Sequence, residues 1–549
     1  MPGDTSSESR DNPPVARAAP ARLSAPPHST CRVDPTAARR RPAAVQRLGV
    51  RSIAVVSIRS RNRADARRSA HEFHASIAVM RRLAWVIVGV AGCGSVSNTK
   101  QPDAAPGDGS NTTPPGTVRW VRSLSSMEAL GIADGPGGMV VTGAIFTPAN
   151  LGGQPLTPTG MADLVVAGFN ADDASHLYSV RYGDTGQVYG FLHNVDANGS
   201  PLIYGVSYGS VDLGKGKVAG GSPGVANPPA DGYIGRYGPA APGWVAQIIG
   251  TGEDKILASA PGPGSTIYAG GWYENTPTFN GGKLTTAGGR DIFVARLNTF
   301  TGAVDLTRTY GGTADDEISS AASNAGELVV AGRFGDPPGG LPGTLAFGGT
   351  AQPLTSNGGL DIWVAKLDVK GDGIWAVHYG GTGDERDPRI ALDSAGDVYV
   401  TGTFTGQVAF GAVNLMSVGD SDIFVAKLRG NNGSVAWAVS FGSAMADGAG
   451  DIAVDSAGHV LVAATVGGPV DGGTSAGGVD AVVASFEAAN GAPRWRKVFS
   501  TKGDDRSSAV TYGRNGEAYA LVGVGGPFDF GMPIIGAASP AAVMLRIAP

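Results

Sequence analysis

Acidic residues recur in short glycine-rich loops: Glu253 and Asp254, Asp315 and Asp316, Asp384 and Glu385, Asp447, and Asp504 and Asp505. Two of these loops read Gly-Gly-Thr before the acids, from Gly311 to Asp316 and from Gly380 to Glu385. Carboxylates gathered around one opening can hold Ca²⁺ or a cationic ligand. The competing chemistry is local, because Asp and Thr cap the free amides of tight turns. Recurrence in unit after unit favours the turn. No segment has the dense oxygen spacing of a dedicated Ca²⁺ loop, so no cofactor is expected and Ca²⁺ stays the alternative.

Nucleophilic or metal chemistry finds little in the chain. His176, His193, His378 and His459 fall at unlike positions and at no metal-ligand spacing. His71-Glu72-Phe73-His74 has one residue too few between Glu and the second His for a zinc-protease helix. A Gly-x-Ser-x-Gly elbow between strand and helix is absent. A pair of carboxylates in a central channel could still serve a glycan hydrolase or lyase.

The elements that carry these loops are copies of one unit. Asp291-Ile-Phe-Val-Ala-Arg-Leu297, Asp361-Ile-Trp-Val-Ala-Lys-Leu367 and Asp422-Ile-Phe-Val-Ala-Lys-Leu428 are nearly identical. Looser copies start at Asp163, Asp231 and Asp480, and Ala541 to Ile547 is a terminal copy without the Asp. The copies lie 58 to 70 residues apart. Each runs through a Gly turn into a strand often marked by Trp, as in Trp375-Ala-Val-His-Tyr379. The acidic loop follows, then a hairpin such as Ile390 to Gly402. Four strands per unit, with 86 Gly for the turns between them, predict an all-β repeat protein. The hairpin should supply the two inner strands.

These segments resemble the seven-bladed β-propeller repeat (SBBP repeat) family of secreted bacterial proteins, across residues 117–549 and most strongly over 285–445. The resemblance implies a seven-bladed β-propeller of four-stranded antiparallel blades. The Trp-marked Thr117 to Ser123 matches a fourth strand, and Ala541 to Ile547 a third. The N-terminal strand is therefore expected to complete the last blade and close the ring, leaving no exposed sheet edge. Thr301-Gly-Ala-Val and Asn490-Gly-Ala-Pro-Arg-Trp495 resemble the Gly-x-x-x-Trp turns of quinoprotein dehydrogenase propellers, which hold pyrroloquinoline quinone and a metal. Three of the seven copies lack that Trp, and no cofactor-site motif accompanies the turns.

Upstream, Arg81 and Arg82 precede an apolar run from Leu83 to Ala91, too short for a permanent membrane helix. Val90-Ala91-Gly92-Cys93 is similar to the lipobox of bacterial lipoproteins, which implies cleavage before Cys93 and lipidation of Cys93. Residues 80–92 then form a signal peptide and residues 93–116, rich in Ser, Asn, Pro and Gly, a flexible tether. Residues 1–79 carry 14 Arg, no Lys and 6 acids. They read as a mis-annotated extension upstream of a true start at Met80, or as a disordered segment. Cys31 and Cys93 are the sole cysteines, so the mature chain has no disulfide to rely on.

From Cys93 onward the net charge is −15, which excludes nucleic acid as a partner. The expectation is a monomeric, lipid-anchored propeller at the cell envelope, on the outer membrane or cell surface. Its role would be to bind or organise protein or glycan without catalysis; a channel-site enzyme is the alternative.

Overall fold

The structure, a computed structural model, describes residues 113–549 apart from 197, 219, 221–227, 240, 325, 336–341, 382, 471–473, 515 and 537–540. The expectations for residues 1–79, for the signal peptide at 80–92 and for Cys93 lie outside the described residues. Among the described residues every regular element is a strand.

The repeat unit is a twisted antiparallel sheet. Asp316–Asn324, Glu327–Phe334, Asp361–Leu367 and Gly373–Tyr379 lie in that order, each bonded to the next. The pattern of hairpin, third strand and fourth strand recurs in the sheets that begin at Met127, Gln187, Asp254, Glu385 and Gly448. In the sheet beginning at Arg506, the chain's last strand, Ala542–Ile547, pairs antiparallel with its first, Val118–Ser123. Val118 stands opposite Ile547 and Ser123 opposite Val543. First strands of successive sheets touch one another along the chain, and Arg506–Tyr512 touches Met127–Gly135. The result is a β-propeller of mostly four-stranded blades with the hairpins innermost.

Burial follows from this stacking. The third strand has both faces covered by neighbouring blades, so Asp361–Leu367 is buried at every position except Lys366. The fourth strand alternates, because one face meets solvent. Each hydrophobic cluster combines residues of two adjacent blades, as where Val329, Ile362 and Trp375 meet Val400, Phe424 and Leu428.

Tryptophans fasten one blade to the next. Trp375 lies against Gly433, at the turn between third and fourth strands of the following blade, and donates its indole N–H to the Gly430 carbonyl at 3.1 Å. Trp437 does the same to Ala488 O (3.0 Å) over Gly491, and Trp244 to Thr299 O (2.8 Å) over Gly302. Gly433 has φ +70°, and a Cβ there would come within 2.8 Å of the Trp375 ring, so Gly fits on both counts. Trp495 packs instead on Gly116, whose amide donates to Ala548 O at 2.9 Å. Trp120 sits in one cluster with Phe169 and Ala174 of the blade that begins at Met127.

Candidate functional site

The loop acids divide into two sets. Asp254, Asp316, Glu385, Asp447 and Asp505 are buried at the head of the inner strand or just before it. Asp316 accepts from the Gly312 amide (2.7 Å), Glu385 from Gly381 (3.1 Å), Asp447 from Ser443 (2.5 Å) and Asp505 from Thr501 (2.5 Å), in each case four residues back. Asp254 accepts from the Glu274 amide at 3.2 Å. These are turn-capping bonds, the local chemistry that Asp favours. The backbone at the same residues also latches to the preceding blade: Asp316 N donates to Arg290 O, Glu385 N to Leu360 O, Asp447 N to Ser421 O and Asp505 N to Val479 O.

Each of those carbonyls belongs to the residue just before a strand-heading Asp. Asp163, Asp231, Asp291, Asp361, Asp422 and Asp480 are all buried. Asp163, Asp291, Asp361 and Asp422 likewise accept from the amide four residues back. The two repeated acids therefore meet between blades. Asp291 raises the pKa of Asp316, Asp361 that of Glu385, Asp231 that of Asp254, Asp422 that of Asp447 and Asp480 that of Asp505, in every case behind the larger effect of burial. Asp254, Asp316 and Glu385 are pushed up to about 8. A Cβ on Gly311 would stand 1.7 Å from Asp291 Oδ1, which accounts for the Gly that opens this loop.

The second set lies nearer solvent. Asp315 Oδ1 accepts from the Arg290 amide (3.1 Å) and Asp384 Oδ1 from the Leu360 amide (3.2 Å). Glu253 pairs with Lys255 at 3.0 Å, and the exposed Asp504 approaches Arg506 at 3.5 Å. Among the described residues no group of three or more His, Cys, Asp or Glu stands at metal-ligand spacing. The histidines stay apart: His378 bonds Asp361 (3.1 Å), His459 bonds Asp455 (2.8 Å) and His176 bonds Ser179 (3.1 Å).

Composition varies at the position after each buried head residue, where the inner strands enter the channel mouth. Going round, it holds Glu128, Tyr189, Lys255, Glu317, Arg386, Gly448 and Arg506. In the blade that begins at Gln187 the buried position is Val188, whose amide bonds Ala162 O at 2.9 Å. Second strands add Trp272 opposite Lys255 and Arg333 opposite Glu317, with Thr403 and Thr465 opposite Arg386 and Gly448.

One arc of the mouth is a charged lattice. Glu317 bridges Arg290 and Arg333, each at 2.8 Å, and Arg290 reaches Glu274 at 3.1 Å. The two guanidiniums overcome the burial of Glu317 and hold its carboxyl down at about 2. Lys255 and Arg290 lie over the Trp272 ring, 4.8 and 4.4 Å from its centroid. A second arc is aromatic: Phe146 meets Tyr189 at 6.3 Å, and Tyr189 meets Tyr208 edge-on at 6.3 Å. The third arc is bare, since a Cβ on Gly448 would have nothing within 4 Å. Deeper in, Tyr204 stacks on Phe191 at 5.8 Å and feels both Arg389 and Asp451 from other blades.

Reading the sequence for repeated acids led to the loops and missed these mouth residues. Their signal was variation: at the residue after each loop acid, the repeat stops repeating.

Fold and channel define a β-propeller with an asymmetric, charged and aromatic mouth. No family model matches the chain. The regulatory protein FlaEY of Caulobacter vibrioides is similar at 26% identity over 212 residues, 37% of this chain and 20% of that protein; the chain thus matches about a fifth of this relative's length. Among solved structures, a quinohemoprotein alcohol dehydrogenase of Pseudomonas putida aligns with TM-score 0.37 and 11% identity, covering 79% of this chain and 76% of the other. Sqt1 of Saccharomyces cerevisiae gives 0.36 and 9%, over 79% and 100%. A europium-containing methanol dehydrogenase gives 0.33 and 12%, over 79% and 93%.

Proposed function

We propose that this chain is a lipid-anchored cell-envelope propeller, non-catalytic, that binds a protein or glycan at its channel mouth. The observation that carries the reading is the mouth itself. A regular frame presents five residue types at equivalent positions, with ion pairs on one arc, aromatic rings on another and open space at Gly448. Rigid rings with variable loops suit recognition. We read the ring as seven blades of the SBBP-repeat type closed by the N-terminal strand, supported by the pairing of Val118–Ser123 with Ala542–Ile547 and by the seat that Gly116 gives Trp495. The lipid anchor rests on the pattern ending at Cys93 and on the polar stretch that follows it.

The test is a pull-down from envelope extract and a glycan-array screen with residues 113–549. Saturable binding lost on Arg386→Ala or Tyr189→Ala, with melting unchanged, supports the reading. Turnover of a glycan panel, or binding indifferent to every mouth substitution, overturns it.

A further inference from the structure

The aromatic arc has a chemistry of its own. Phe146 is 42% exposed and its ring leans on Tyr189, which in turn meets Tyr208 at 87°. Two carboxylates flank the rings: Glu128 acts electrostatically on Tyr189, and Glu253 on Tyr208. Glu253 is taken by Lys255 at 3.0 Å. Glu128 is not taken, for among the described residues no hydrogen bond or ion pair reaches its carboxylate. Arg506 acts on it without bonding, and burial drives its pKa upward.

A half-buried carboxylate that meets no donor of its own chain is open to a cationic one from outside. The adjoining ring faces carry negative quadrupole charge, which attracts an ammonium more strongly than a neutral group. Across the mouth Arg386 offers the opposite sign, held by Asp384 at 2.6 Å. A ligand with a cation at one end and an anion a few residues along matches both arcs. A peptide supplies that combination; an amino sugar supplies the cation alone.

We propose that Glu128, Tyr189, Tyr208 and Phe146 form a subsite for the protonated side chain of a lysine, presented by a protein segment laid across the mouth. This rests on the mouth being the binding surface and names its ligand class. The ammonium sits against the Glu128 carboxylate with the tyrosine rings beside it, while Phe146 covers the alkyl stem.

The test uses the full chain and three probes in calorimetric titration: the blocked peptide acetyl-Glu-Gly-Lys-Gly-amide, the same peptide Nε-acetylated, and a glucosamine trimer. The lysine peptide is expected to bind saturably and the acetylated one at least about tenfold more weakly, a cost of about 1.4 kcal/mol. Glu128→Gln and the exposed Phe146→Ser should each weaken the lysine peptide with melting unchanged. Equal binding of the acetylated peptide, binding of the glucosamine trimer alone, or full affinity in both variants overturns the inference. If an envelope partner is captured by Glu128→Gln but not by Arg386→Ala, the lysine subsite fails and the mouth reading stands. Capture indifferent to both sinks the two together.

Discussion

Asp291 and Asp316 face each other across a blade junction, and each keeps its Oδ1 buried with no hydrogen-bond partner. Asp361 with Glu385 repeats the arrangement. Burial favours the protonated form of such acids, and the folded pKa of Asp316 and Glu385 rises to about 8 from the ordinary carboxylate range. The unfolded chain holds those protons only below about pH 4. Stability from these groups is therefore fully present below pH 4 and is lost as pH rises towards 8. Melting temperature should fall between pH 5 and pH 9, and Asp316→Asn should flatten that slope. A slope identical in wild type and variant would remove the pairs from the explanation.

Glu317 predicts the opposite limb. Its folded pKa is held at about 2 by Arg290 and Arg333, so its contribution is present above about pH 4.5 and lost as pH falls towards 2. Glu317→Gln leaves two mostly buried guanidiniums facing each other. Chemical denaturation at pH 7 should register a loss of up to about 3 kcal/mol, shrinking towards zero near pH 2.

Trp375→Ala removes a buried ring and the bond to Gly430 O, at a cost of about 3–5 kcal/mol. Gly433→Ala should destabilise through the same contact from the other side, because its φ is +70° and the Cβ meets the Trp375 ring. Double-mutant denaturation checks the pairing: the two losses should sum to more than the double variant shows.

Deleting residues 117–125 removes the strand that covers Ala542–Ile547. The melting temperature should drop sharply. An unchanged thermal scan would refute closure by this strand.

Cys93→Ser is expected to abolish incorporation of labelled palmitate in a bacterial host and to release the chain from the membrane fraction. Persisting label would place the lipid elsewhere.

Much of the scaffold was legible because it repeats. Asp-Ile-Phe-Val-Ala-Lys-Leu states a strand buried on both faces, and Ser394-Ala-Gly-Asp397 states the turn of the inner hairpin, with Gly396 at φ +84°. The blade from Gln187 was harder to read, since Val188 and Tyr189 replace the acid and charge that mark other blades. Loop acids were visible, but their partners were not. That Asp316 meets Asp291 depends on a blade-to-blade register that no local pattern encodes. The mouth was hidden for the same reason: Trp272, Arg290 and Glu317 come from separate loops and strands and converge only in the ring.

The pairing of the first and last strands also gives the ring an orientation. Inner strands start at the mouth, so the opposite ends of the third and fourth strands lie on the far face. Val118 and Ile547, directly opposite each other, mark that far face, while Ser123 and Val543 mark the mouth side. The proposed tether, entering at Val118, would pull from underneath. Any surface holding the protein by that tether would meet the underside, and Glu128, Tyr189 and Arg386 would look outward, towards whatever approaches.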